Sequence, residues 1–398
     1  MWKLYGKTYD LTDFAQRHPG GAEIIEKTKG LDDCSALFES YHAFSDLSGI
    51  KQSLDKYEIP VVADDDTVII NHYNTDFTTY HRLIEKIKEV FPDRASVKAP
   101  PSWYLFVSML SCAYLYLLYH MTMNNHNVFV KCVLAIISST AEVSLLFNML
   151  HDSSHHAITT DSRVNTTVSI ISQSWTIWNH SIWYLHHVIF HHSFTGDEQD
   201  PDKYLYEYAH MIDLSQLNSS TQQLLNTMIF AFFPGQHTLQ SFLYAKQAFN
   251  KYTTQKYYST TELSIIFCKI LFLFRIGILP SIVYVSNMNF LYYINIFPNH
   301  DLYDTYEHRY NGPDWAKRQI CNSGNFVNDY RWWSMIFGGI NHQIEHHLFP
   351  NMNNHHYPTI APIVKKFCKD NDLPYVHEPT LESAYTSFMK RIVAKKEQ

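Results

Sequence analysis

The sequence predicts two unequal parts: a small α+β module at the N-terminus, and an all-α membrane domain with about four transmembrane helices and a histidine-bearing cap on one side. Three observations carry this. Apolar residues are gathered into a few long runs, although the mean hydropathy over the whole chain is only -0.23. Histidines form three clusters, HDSSHH from His151, HVIFHH from His187 and HQIEHH from His342. The first 60 residues hold neither a long apolar run nor such a cluster; they read as short strands and small helices around His18 and His42.

Composition narrows the function. A net charge of -7 over 398 residues offers no basic field to nucleic acid. Cys34, Cys112, Cys132, Cys268, Cys321 and Cys368 stand singly, which argues against a disulfide framework and a thiolate metal site. MWKLYGKTYDLTDF has no basic and then apolar stretch, so the expectation is an uncleaved N-terminus that stays in the cytosol.

Taken in order, Trp2 to Pro60 is a strand, a tight turn and small helices. His18 opens HPGG, where Pro19 fixes φ and Gly20 with Gly21 lets the backbone turn close beside a bound ring. His42 follows 24 residues later in LFESYHAFSD, flanked by Phe38, Tyr41 and Phe44. VVADDDT is then a solvated acidic spacer that lets the module reorient. Phe77, Tyr80, Ile84, Ile87 and Phe91 recur at helical spacing as far as Pro92, an amphipathic helix lying on the bilayer or against the rest of the chain. The expected units are residues 1–63, a linker with this helix at 64–98, and a membrane domain at 99–398.

Ser102–Met123 and Asn127–Leu150 are each long and apolar enough for a hydrocarbon core of ~30 Å, and pair through NNHN. Lys98 before the first span, with no Lys or Arg in the turn, puts the turn on the far side, although Lys131 weakens the contrast. Glu142 is an intramembrane carboxylate, a functional suspect or a hydrogen-bonded structural group. Glu262–Val285 is the expected third span, in which Lys269 and Arg275 must snorkel, bend the helix or face protein; Asn289–Phe297 is a short fourth. Apolar runs at Thr166–Trp183 and Leu224–Phe249 read as re-entrant or interfacial helices.

The histidine clusters are where chemistry concentrates. At about 100° per residue Gln343, His346 and His347 share one helix face, His151 and His155 are one turn apart, and His187, His191 and His192 lie on one side of another turn. Neutral imidazole suits iron, zinc or copper, and eight converging side chains exceed what one ion accepts, so two metals are expected. The clusters share one site only if an even number of spans separates them.

These residues resemble the membrane fatty acid desaturases, whose three histidine boxes hold a di-iron centre. The likeness runs through HDSSHHAI, HVIFHHSFTG with its following DPD, DWAKRQICNSGNF, GGINHQIEHHLFP and HYPTIAPIVKKFCKDNDLPY. A third box led by Gln343 resembles the front-end branch, and the spacing of box two with the Ser before His155 resembles its delta-5 and delta-4 type. HPGG with YDLTDF and His42 resembles cytochrome b5, though beginning at a strand that usually has another strand and helix before it. Asn353-Asn354 departs from the usual Pro-Arg after box three, which bears on local substrate contacts.

The resemblance implies that His151, His155, His187, His191, His192, Gln343, His346 and His347 are the catalytic metal ligands, joined by His300 of FPNHD. His18 and His42 would be axial ligands of haem b. His156, His186 and His342 are expected to support or to be incidental, and His237 of PGQHTL to be structural or catalytic. Cofactors are then two iron ions, haem and O2, with electrons from NADH through cytochrome b5 reductase; bis-histidine ligation closes the haem iron to oxygen, so it only passes electrons. An unactivated methylene has no acidic proton, so the reaction needs an oxidant made from O2 instead of an acid–base pair. The implied substrate is a polyunsaturated acyl chain on CoA or phospholipid, in the endoplasmic reticulum membrane with both termini cytosolic. Lys395 and Lys396 stand where a dilysine retrieval signal would, or form a plain basic tail. The alternatives are a sphingolipid long-chain base desaturase and, in another class, a non-catalytic membrane-anchored haem electron carrier.

Overall fold

The computed structural model describes residues 1–31, 33–60, 75–172, 179–197, 200–204 and 259–394, with Thr221 and Leu225 between. The acidic spacer, His237, all of the run 224–249 but Leu225, residues 173–178 of the run 166–183, and Lys395 with Lys396 lie outside them.

Three short antiparallel strands, β1 (Trp2–Leu4), β2 (Lys7–Tyr9) and β3 (Glu58–Ile59), pair in the order β1-β2-β3. Tyr5 and Gly6 turn β1 into β2 at φ +51° and +74°, the left-handed pair whose twist matches that of the flanking strands. Around this sheet sit α1 (Ala22–Lys27), α2 (Ser35–Tyr41) and α3 (Leu47–Leu54), the last capped by Asp46, whose carboxylate accepts from the Gly49 amide at 3.1 Å.

The next helix, α4 (Thr78–Lys88), buries Tyr80, Leu83, Ile84 and Ile87. These pack with Trp315, Leu348, Phe349 and Ile360, and the Tyr80 hydroxyl donates to the Leu348 carbonyl at 2.8 Å. Protein, not a bilayer, therefore answers its apolar face.

Two described helices are long and apolar enough to cross a membrane: α5 (Pro101–Met123) and the continuous coil from Val128 to Ser154, whose first part is α6 (Val128–Leu145). Asn127 starts α6 by accepting from the Val130 amide at 3.0 Å. Leu105, Met109, Leu115 and Phe129 point outward, over half exposed, an apolar belt that water would not tolerate over such an area.

The later apolar stretch divides differently from the expected spans. Gly277 takes φ +99°, which side chains rarely adopt, and ends one helix at Ile276 while the next begins at Ile278. The elements are Thr260–Ile276, opened by a Ser259/Glu262 capping box, and Ile278–Ile296; Pro280 falls in the first turn of the second, where its missing N–H costs nothing. The boundaries placed at Val285 and Asn289 are thus corrected to Gly277. At 1.5 Å per residue the two helices reach about 25 and 28 Å. Lys269 pairs with Glu142 instead of snorkelling, Tyr284 donates to the same carboxylate, and Arg275 Nε donates to the Thr122 carbonyl at 3.0 Å.

The N-terminal module is docked on the helical unit, in place of the reorienting arrangement the spacer suggests. Ala36, Ala43 and Phe44 share one buried core with Trp315, Ile344 and Phe349. At the polar edge His180 Nε2 lies 3.1 Å from Glu23 and His81 Nε2 lies 2.9 Å from Glu39.

Candidate metal centre

Local backbone decides how the histidines meet. Leu146–His151, continuing α6, and Tyr184–His191 are π-helical, a wider coil whose hydrogen bonds run from i to i+5 and which tends to mark functional sites. His187 and His192, five apart and expected on one side of a turn, therefore approach to 3.3 Å between Nε2 atoms. Box three sits on the short helix Gln343–Leu348, buried throughout. Its approach needs Gly338 at φ +59°: a Cβ there would lie 2.5 Å from the carbonyl carbon of Phe147, inside the box-one segment.

The structure brings the predicted residues into two adjoining pockets. Ring nitrogens of His151, His155, His187 and His346 lie within 4.8 Å of one another, as do those of His191, His300 and His347. His192 lies between, stacked on His347 at 4.4 Å and edge-on to His155 and His346. Gln343 reaches the second pocket, its amide nitrogen 3.0 Å from His300 Nε2; its Oε1 is buried with no hydrogen-bond partner among the described residues.

Most of these rings are oriented by a contact on Nδ1. His191 Nδ1 faces Asp200 at 2.9 Å, His347 Nδ1 faces Gln319 Oε1 at 2.8 Å and Thr195 Oγ1 at 3.1 Å, and His300 Nδ1 faces the Asn322 carbonyl at 2.7 Å. His346 Nδ1 lies 3.1 Å from the Tyr357 hydroxyl, and His155 Nδ1 lies 2.7 Å from that of Tyr41. Partners that only accept put the proton on Nδ1 and leave the Nε2 lone pair facing inward. The Nε2 atoms of His151 and His346 stand 3.2 Å apart, and those of His191 and His347, whose Nδ1 atoms face Asp200 and Gln319 oxygens, face each other at 3.1 Å. Two lone pairs at that distance repel unless a cation lies between them.

A metal fits this arrangement. Two nitrogens bound at about 2.1 Å to one ion at 90–109° stand roughly 3.0–3.4 Å apart, the spacing observed. His155 Nε2 is buried with no partner among the described residues, as a ligand atom would be. Burial, reinforced by neighbouring imidazoles, pushes His155, His187, His192, His346 and His347 well below their ordinary 6.5, keeping them neutral and able to coordinate. At His191 burial works the same way, but Asp200 and Asp202 outweigh it and lift the ring to about 9, making it the most basic donor of the group.

The three remaining cluster histidines face elsewhere: His186 Nε2 meets Asp202 at 2.7 Å, His342 Nε2 meets Ser334 at 3.1 Å, and His156 Nε2 lies 3.5 Å from the Tyr184 hydroxyl. Asn353 and Asn354 grip box one, the former's amide and the latter's backbone N–H donating to Asp152 at 2.7 and 2.9 Å. Glu345, fully buried between the ligand positions, accepts from Asn325 and Tyr375 at 2.8 Å each and so anchors the box-three helix.

In the docked module the rings of His18 and His42 stand with centroids 6.2 Å apart and planes at 69°. Their Nδ1 atoms lie 3.0 Å from the Gly21 carbonyl and 2.7 Å from the Phe38 carbonyl, which turns both Nε2 lone pairs to the gap. Two imidazoles so held by backbone carbonyls fit the chemistry of bis-histidine ligation of a haem iron. Gly20 allows it, since a Cβ there would stand 2.7 Å from the His18 ring.

Asp200, Gln319, Asn322 and Tyr357 escaped the motif reading as supports. Each lies within a segment that carried the resemblance, but which ring it holds is settled only by the fold.

A helical unit that gathers imidazoles from four segments into two metal-sized pockets, with a bis-histidine module docked on it, defines a metal-dependent oxidoreductase carrying its own electron-transfer domain. The fatty acid desaturase family model matches residues 126–379, and the chain belongs to that family. Residues 2–63 match the cytochrome b5-like heme/steroid binding domain, which implies haem. Among curated proteins the chain is 26% identical to a probable Delta(5) fatty acid desaturase C of Dictyostelium discoideum, over 97% of this chain and 90% of that one. It is 25% identical to an acyl-lipid (8-3)-desaturase of Mortierella alpina (98% and 92%) and 25% identical to an acyl-lipid (7-3)-desaturase of Diacronema lutheri (96% and 87%).

Proposed function

We propose that this chain is a front-end acyl desaturase of the delta-5 or delta-4 type, placing a cis double bond between an existing one and the carboxyl end of a polyunsaturated acyl chain. The observation that carries this is the two-pocket histidine cluster in a chain whose near-full-length relatives bear front-end names. His151, His155, His187 and His346 form one ligand set and His191, His300 and His347 the other, with His192 and Gln343 completing them. When bound, the iron pair supplies the oxidising power from O2 that an unactivated methylene requires. The protein's own part is to orient the rings through Asp200, Gln319, Asn322 and Tyr357, and to limit water at a largely buried cluster.

The parts are residues 1–63 for haem, 64–98 for the connection and 99–398 for the membrane domain. The outward apolar faces of Thr260–Ile276 and Ile278–Ile296, with Phe274 81% and Ile278 83% exposed, support four crossings. Both termini and the boxes then share the cytosolic side of the endoplasmic reticulum, where a reductase drawing on NADH reaches the haem. The acyl group is carried on CoA or on phospholipid.

The test is gas chromatography of fatty acids from yeast expressing the chain and fed C18, C20 and C22 polyunsaturated acids. A product with a new bond toward the carboxyl end, absent for His346→Ala, is expected. No product from any acid, with haem-loaded protein present, overturns the proposal.

A further inference from the structure

Tyr41 belongs to the haem module but ends in the metal cluster. It immediately precedes His42, and its hydroxyl lies 2.7 Å from Nδ1 of His155, with the two rings within 20° of parallel. Its carbonyl is held from the other side, by Asn351 Nδ2 at 2.9 Å, in the segment that follows box three. The flanking module contacts, Glu23 with His180 and Glu39 with His81, end on histidines outside the two pockets.

We propose that Tyr41 is the relay residue between the two halves, the route by which electrons pass from the haem module to the metal pockets. This rests on the haem and metal assignments above. One peptide unit, about 3.8 Å between Cα atoms, separates Tyr41 from the haem ligand His42, and one hydrogen bond separates it from the metal ligand. In each transfer one electron leaves ferrous haem, which becomes ferric, and reduces one ferric ion of the pair to ferrous. No bond is made or broken, the phenol keeps its proton, and two transfers serve each turnover. The docked geometry makes this delivery internal to one chain.

The experiment compares full-length wild type, Tyr41→Phe and, as a docking control, Glu23→Gln, each purified with haem and iron. Four quantities are read: haem content, iron content, the stopped-flow rate at which reduced haem is reoxidised in the presence of O2 and an acyl substrate, and product formed under two electron supplies. One supply is NADH with the reductase; the other is a dithionite-reduced viologen that reaches the metals without the haem. For Tyr41→Phe we expect both cofactors retained, haem reoxidation and NADH-driven product slowed at least about tenfold, and viologen-driven product within about twofold of wild type. Glu23→Gln should keep the wild-type reoxidation rate. Unchanged reoxidation in Tyr41→Phe overturns the relay; so does loss of iron with haem kept, which leaves Tyr41 a structural anchor. If Tyr41→Phe loses haem as well, Tyr41→Met is judged by the same comparison of supplies. Wild type that carries no haem or no iron overturns the functional reading itself, a distinct result.

Discussion

Substituting Gly338 by Ala tests whether the close approach of box three to box one builds the metal centre. Gly338 has φ +59°, and an added Cβ would meet the carbonyl carbon and oxygen of Phe147 at 2.5 Å. The left-handed conformation alone costs an L-residue roughly 1–2 kcal/mol. The overlap is with backbone, which cannot swing aside as a side-chain end would, and overpacking of this kind adds about 1–3 kcal/mol. The sum is ~2–5 kcal/mol, and the strain is relieved most directly by moving the π-helical segment that carries His151. Gly6→Ala is the internal control, because φ is +74° there but nothing lies within 4 Å, so only the conformational part applies. Iron per chain, the haem absorption band and product from a fed acyl chain are measured on both. Gly338→Ala should lose iron and at least about tenfold of product while keeping haem, and Gly6→Ala should keep all three. Wild-type iron and product in Gly338→Ala would refute the reasoning.

Asp200→Asn removes the carboxylate on His191 Nδ1 and should weaken iron retention about 10–100-fold in a chelator competition, with haem content unchanged. Glu142→Leu removes the carboxylate that Lys269 and Tyr284 share between apolar helices, a loss of up to about 3–5 kcal/mol that should appear as a lower melting temperature in detergent. Burial holds His42 down at about 4 and His18 below its usual 6.5. The unfolded chain therefore takes up protons first, so the module's stability is complete above pH 6.5 and falls as pH drops toward 4; haem release followed by absorbance should show that sign, and release that eases on acidification would contradict it.

Much of the centre was legible because ligand chemistry is written in residue type: neutral imidazoles in HDSSHH, HVIFHH and HQIEHH, and a histidine pair around HPGG. Spacing was less reliable. A helical period sets His187, His191 and His192 on one side of a turn, but not the π-helical coil that sets how closely they meet, which only tertiary packing chooses. The division of the later apolar stretch was misplaced because hydropathy runs smoothly across Gly277, and the break there is a backbone matter. Arg275 and Lys269 gave no hint of their partners, Thr122 and Glu142, which are remote in sequence. Likewise Asn353 and Asn354, read as a departure touching the substrate, bond to Asp152, a long-range contact that no local pattern encodes.

Neither pocket is supplied by a single box. The first draws on boxes one, two and three, and the second on box two, box three and His300. An ion cannot be held until segments nearly two hundred residues apart have met, so metal uptake belongs at the end of assembly, after the membrane helices are in place. Bound iron would then serve as a proofreading mark on the finished molecule, and chains that insert or pack wrongly would stay metal-free and inert instead of becoming half-built sites that reduce oxygen without a substrate.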